Sequence, residues 1–272
     1  MPTNKQFDPP PRLPELGLDL LKITPIQRLW TITVPFILIV LYFVAAHFGY
    51  WAIAVGALVY LSFVTYGSTS HDLVHRNLGL TPVTNEIFLT LIELLSLRSG
   101  HAYRLSHFHH HARYPADDDL EAAASKRSLG GALLEGVTFH IRLWLWAIKR
   151  TKGSERKLIV VEGGLAMPMI LAAILVSKFT VAPLIYVLLM IMGAWITPLV
   201  TSYVPHTPSG TDELEKTKLF RGVVLSVVAM EHLYHLEHHL YPAVPHQNWP
   251  RLAKRLDPYF ASQGIVPVKL WF

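Results

Sequence analysis

The stretch LWTITVPFILIVLYFVAAHF, residues 29–48, decides what kind of protein this is. It runs for 20 residues without an Asp, Glu, Lys or Arg. As a helix rising 1.5 Å per residue, it reaches across a bilayer core of roughly 30 Å. The whole chain agrees: 272 residues, 51% hydrophobic and 16% charged, with a mean hydropathy of +0.34. The apolar share lies above that of a soluble domain, and the charged share below it. The expected fold is all-α and integral to the membrane.

Upstream of this stretch, residues 1–28 are polar and Pro-rich (PPPRLP). They lack the apolar core and small-residue cleavage site of a signal peptide, so the segment is expected to stay attached. Downstream, after the turn-like HFGYW, a second apolar run at residues 52–69 completes a hairpin. Residues 87–97 are too short to cross and contain Glu93, which predicts a re-entrant or interfacial helix on the side where the second span ends. Residues 100–157 are charged and histidine-rich, and their segment FHIRLWLWAIKR suits a helix in the headgroup plane, with Trp144 and Trp146 at the interface. Residues 158–176 and 181–200 form a second hairpin joined by SKFT. Glu162, Gly163, Gly164, Pro168 and Pro198 interrupt these runs, which is tolerated where a helix faces protein or a cavity. The run 223–230 is too short to cross again. No repeat or linker divides the chain, so a single domain (29–272) is expected to follow the N-terminal segment.

This map leaves Lys178 alone in the two outer loops, out of 24 Lys and Arg residues. The positive-inside rule then places the basic face and both termini in the cytoplasm, as for a bacterial inner-membrane protein. The net charge of +5 and pI near 9.3 describe a basic surface over anionic lipid. An acidic redox protein would find the same surface attractive. No nucleic acid is expected as a partner.

The chain has no cysteine but 15 histidines. Disulfides, thiolate zinc and cysteine-held clusters are therefore excluded, and any metal must be held by nitrogen and oxygen. HLYHLEHHLYP places His235, His238 and His239 at i, i+3 and i+4, one face of a helix. SHDLVH gives His71 and His75 at i and i+4; SHFHHH gives His107, His110 and His111; VPHTP gives His206. All four groups fall at one membrane face on the map above. Nine imidazoles are too many for one ion and suit two, and iron is the usual metal where nitrogen ligands leave positions open for dioxygen. His109 and His232 are expected not to ligate, and His47, His140 and His246 read as structural. Each ligand ring needs an acceptor for its outer N–H. Asp72, Glu237 and the run Asp117, Asp118, Asp119 and Glu121 lie nearest in sequence, although an acidic run after a helix is ordinarily a solvated turn.

HDLVH, HFHHH and HLEHH, in this order and membrane setting, resemble the three histidine boxes of the membrane fatty acid desaturase superfamily, which includes carotenoid hydroxylases and ketolases. The resemblance covers about residues 70–250. It implies a non-haem di-iron site at the cytoplasmic face, with O2 and two external electrons attacking an unactivated C–H bond. The ligands it implies are His71, His75, His107, His110, His111, His235, His238 and His239, with His206 as the further histidine before the last box. Acyl-CoA desaturases resembling this pattern carry an asparagine near the metal where this chain has Ser202, so Ser202 joins Asp72, His232 and Glu237 as candidates around the ligands. HHLYPAVPHQNWPRL resembles acyl-lipid desaturases, whereas SYVPHTP and HARYPADDD resemble the carotenoid enzymes. An acyl chain is the leading substrate expectation and a carotenoid ring the alternative. No HPGG haem motif is present, so electrons are expected from a separate ferredoxin, rubredoxin or cytochrome. A membrane zinc hydrolase would need about three ligands and leave six of the nine unexplained. A metal or haem carrier would spread its ligands along a transmembrane path.

Overall fold

The computed structural model describes residues 6–222 and 233–270. The expected run 223–230 and His232 lie outside them. Among the described residues, four helices are long and apolar enough to cross a membrane. The first, α1 (Pro25–His47), opens on a reciprocal cap: Thr24 Oγ1 accepts from the Gln27 N–H at 3.2 Å, and Gln27 Oε1 accepts from the Thr24 N–H at 2.8 Å. Such a cap, followed by Pro25 at the first helical position, fixes where the helix starts. The second, α2 (Trp51–His75), returns along α1 and makes the first hairpin. It contains one π-turn, Thr65–Thr69, in which the Ser70 N–H reaches back to the Thr65 carbonyl.

Next, α3 (Pro82–Leu95) buries Leu89, Ile92, Asn85 and Glu93 against its neighbours. Its 14 residues span about 21 Å, short of a bilayer core. The following α4 (Gly100–Arg113) packs so closely on α3 that a Cβ at Gly100 would lie 2.7 Å from the Leu89 side chain. The predicted interfacial segment is the second half of a longer helix, α5 (Leu129–Arg150). Its Trp144 indole donates to the Ile159 carbonyl at 2.8 Å and Trp146 lies under the Arg150 guanidinium. Its outer face carries exposed Leu134, Val137 and Ile141.

The second hairpin is α6 (Gly153–Val176) and α7 (Ala182–Tyr203). Glu162, expected as an interruption, is buried and accepts from Thr90, from Ser99 Oγ at 2.6 Å and from the His101 backbone N–H at 3.1 Å. A second π-turn, Leu199–Tyr203, closes α7. Exposed apolar side chains such as Val40, Leu171 and Leu188 crowd the outer faces of the spans, as lipid contact requires.

Beyond the spans, α8 (His235–Leu240) and the amphipathic α9 (Trp249–Ser262) build a cap around Leu20, Leu236, Trp249, Leu256 and Phe260. The N-terminal segment is part of this cap. Leu20 and Lys22 carbonyls accept from the Asn248 amide at 2.8 and 2.9 Å, and Asp19 pairs with Arg251 and Arg255. Two short parallel strands, β1 (Phe220–Arg221) and β2 (Val268–Lys269), complete it.

Candidate metal centre

The last turn of α2 carries His71 and His75, one face of α4 carries His107, His110 and His111, and α8 carries His235, His238 and His239. His206 follows α7, where its backbone bridges to Thr217. These nine side chains, spread over the sequence, converge as two adjoining groups: His71, His75, His107, His111 and His238; and His110, His206, His235 and His239. Within each group the donor nitrogens lie within 4.8 Å of one another. In the five-histidine group, Nε2 of His238 is 2.9 Å from that of His71 and 2.8 Å from that of His111, which is 3.1 Å from that of His107. In the four-histidine group, Nε2 of His206 is 3.2 Å from that of His110 and 2.9 Å from that of His235, itself 3.1 Å from His239.

The outer ring nitrogens explain which atom faces inward. His110 Nδ1 meets Asp119 at 2.8 Å, His107 Nδ1 meets Glu121 at 3.1 Å and His239 Nδ1 meets Glu213 at 2.9 Å. His206 Nδ1 lies 3.3 Å from the Thr217 hydroxyl. An ionised carboxylate only accepts, so opposite one the proton sits on Nδ1 and the lone pair of Nε2 points into the group. Burial and neighbouring histidines push His107, His206 and His238 well below the ordinary imidazole range, which keeps these rings neutral. His110 departs from them: burial lowers it too, but the Asp119 bond and charge outweigh burial and raise it. Burial alone would raise Glu213, yet His239 holds it down at about 2. Burial carries Glu121 up to about 7.

Lone pairs of neutral rings facing one another at about 3 Å repel unless a cation lies between them. Two nitrogens at right angles about one ion, each at about 2.1 Å, would be about 3 Å apart. Each group therefore fits a metal ion in its donor type and spacing, and the rings that burial lowers fit it in their neutral state as well.

The other candidate residues stand elsewhere. The Asp72 carboxylate accepts from the ring and backbone N–H of His246, at 2.7 and 3.2 Å, and not from a ring of either group. Glu237 is fully buried, pushed up to about 7 by that burial, and paired with Arg221 at 2.6 Å. Ser202 accepts from the Ser125 N–H at 3.2 Å. His109 turns away to Asp118, at 3.2 Å, and to the edge of Trp146. The acidic run is divided: Asp117 and Asp118 are solvated, while Asp119 and Glu121 are buried against the histidines. Three participants gave no signal in sequence spacing: Glu213, Thr217 and Trp249, whose buried ring packs on His71 and His238.

A small cavity of about 30 Å³ reaches the histidines, and Tyr66 and Thr201 form part of its wall. The same two residues close the inner end of an apolar cleft of about 510 Å³ between α2, α5 and α7, lined by Leu58, Phe63, Leu189 and Ile196. A sequence model described as fatty acid desaturase matches residues 45–271. No curated protein matches the chain.

Proposed function

Since this chain belongs to the fatty acid desaturase family, we propose that it is a membrane di-iron oxidoreductase that desaturates a fatty acyl chain. The observation that carries this reading is the pair of histidine groups, five and four, adjoining the end of an apolar cleft. His71, His75, His107, His111 and His238 would hold one iron, and His110, His206, His235 and His239 the other. When bound, the irons supply the activation of dioxygen, with two electrons from a separate donor.

The protein's own groups set the conditions for that chemistry. Asp119, Glu121 and Glu213 retain the Nδ1 protons and so keep the Nε2 lone pairs aimed inward. All-nitrogen donors leave a divalent cation's charge uncancelled, so it stays strongly electrophilic. The cleft takes an unbranched hydrocarbon, excludes water and presents one stretch of methylenes at Tyr66 and Thr201. Loss of one hydrogen from each of two neighbouring methylenes, with O2, two electrons and two protons, gives one double bond and two waters. The electron donor is a separate protein docking on the basic face, which the positive-inside rule places in the cytoplasm.

The test is metal and lipid analysis together. Purified protein is expected to carry about two irons per chain, and lipids of an expressing host to show acyl chains lighter by two hydrogens. One zinc per chain would remove the di-iron reading. A gain of oxygen, or change confined to carotenoids, would replace acyl desaturation by ring hydroxylation or ketolation.

A further inference from the structure

A second chamber, of about 440 Å³, opens between α5, α6 and α7. Its mouth is apolar and exposed, with Val137, Ile141, Met167 and Ile191. Its floor is polar. Arg98 and Glu93 form a two-point ion pair there, Nε to Oε2 at 2.9 Å and Nη2 to Oε1 at 3.0 Å, and Arg98 Nη2 also donates to Thr65 at 3.1 Å. Their charges cancel, and Nη2 is committed to Glu93 and Thr65, while Nε faces Oε2 without hydrogen-bond geometry.

Two other floor groups are unanswered. The Tyr66 hydroxyl and Nε2 of His140 make no hydrogen bond, and each lies just beneath the chamber surface, where a partner reaches it once its ring turns. Tyr66 is only 6% exposed, and its ring stands edge-on to His140 with centroids 6.3 Å apart. The His140 ring faces the Ala194 carbonyl, and burial next to Arg98 keeps it neutral, which leaves Nε2 as an acceptor. Polar atoms buried in this way cost free energy until a partner arrives.

We infer that this chamber binds the hydroxyl group of a neutral lipid alcohol. A hydroxyl both accepts, from Tyr66 Oη, and donates, to His140 Nε2. A carbonyl would leave His140 without a donor. A carboxylate would bring a charge that Arg98, held by Glu93, is not free to meet, and an alkane would leave both atoms bare. The chamber goes beyond the proposed reaction and does not depend on a metal, although it lies close to the histidine groups. Tyr66 and Tyr103, stacked with centroids 4.5 Å apart, line both the chamber and the histidine cavity and form the partition between them.

The experiment titrates purified full-length protein in detergent with 1-dodecanol and with dodecane, reading the fluorescence of Trp144 and Trp195, which line the chamber. The alcohol is expected to bind at least about tenfold more tightly, one hydrogen bond's worth of preference. Tyr66→Phe and His140→Phe are each expected to reduce that preference to near unity while dodecane binding persists. Equal affinities in the unsubstituted protein, as water on the floor would give, overturn the inference, and so does a preference that survives both substitutions. Should one variant fail to fold, the unsubstituted comparison and the other variant decide. Competition with the oxidised lipid identifies a substrate or product alcohol; tight binding without competition identifies a bystander membrane lipid. Protein that prefers the alcohol but oxidises no lipid removes the proposed function alone, and protein that oxidises lipid without the preference removes this inference alone.

Discussion

Asp118 and Asp119 are neighbours in sequence with opposite surroundings. Asp118 lies in solvent between Arg150 and His109, whereas Asp119 is 2% exposed and holds the Nδ1 proton of His110. Its other oxygen accepts from the backbone N–H groups of Glu121 and Ala122, so one side chain builds both the turn and the tautomer. Glu121 serves His107 in the same way, but His107 and His110 belong to different groups. Asp119→Asn keeps the turn's acceptor and is expected to weaken metal binding in the four-histidine group about 10- to 100-fold. Glu121→Gln should do the same to the five-histidine group. Each variant should lose one of two metals to a chelator at concentrations that leave the original protein loaded; loss of both at once from either variant would show that the groups are not separately held.

Among the elements, the spans and the nine histidines were readable because their signals are local. A charge-free run announces a helix in lipid, and i, i+3, i+4 spacing announces a shared face. The partners of the histidines were not readable in that way. Glu213 meets His239 across 26 positions and Trp249 meets His71 across 178, and nothing in either neighbourhood marks the pairing. Asp119 and Glu121 were in view, but the burial that separates them from Asp117 and Asp118 arises only when α7 and the cap close over them. Close helix approach was equally silent. A Cβ on Gly136 of α5 would sit 1.9 Å from the Trp195 carbonyl of α7, while one on Gly164 of α6 meets nothing within 4 Å. Gly136→Ala should therefore cost about 1–3 kcal/mol through overpacking, and Gly164→Ala should gain up to about 1 kcal/mol of helix propensity. Thermal unfolding in detergent checks the pair, and equal shifts for the two would contradict the close contact.

At the scale of the molecule, the metal-free protein carries its histidines as a titratable load. His107, His206 and His238 have pKa values below the 6.5 of a free imidazole, because burial disfavours the charged ring. Below about 6.5 the unfolded chain therefore binds more protons than the folded one, and stability falls as pH falls. His110 and His101, raised by Asp119 and Glu162, and Glu121 and Glu237, each carried up to about 7 by burial, act in the opposite sense, and the lowered rings outnumber them once His111, His140 and His239 are included. The melting temperature of metal-stripped protein should decline from about pH 6 downward. A melting temperature that held or rose on acidification would mean that the rings are not buried neutral. Metal binding should weaken over the same interval, since protons and metal compete for the same lone pairs.

The two groups also differ in the order in which the chain supplies them. By residue 111, with α2 and α4 made, four of the five members of the first group exist: His71, His75, His107 and His111. The second group then has only His110, and its other three members come from residues 206 to 239. During synthesis from the N-terminus, one histidine group is thus nearly whole before the second hairpin is made, lacking His238 alone. The other has to wait for the end of the chain.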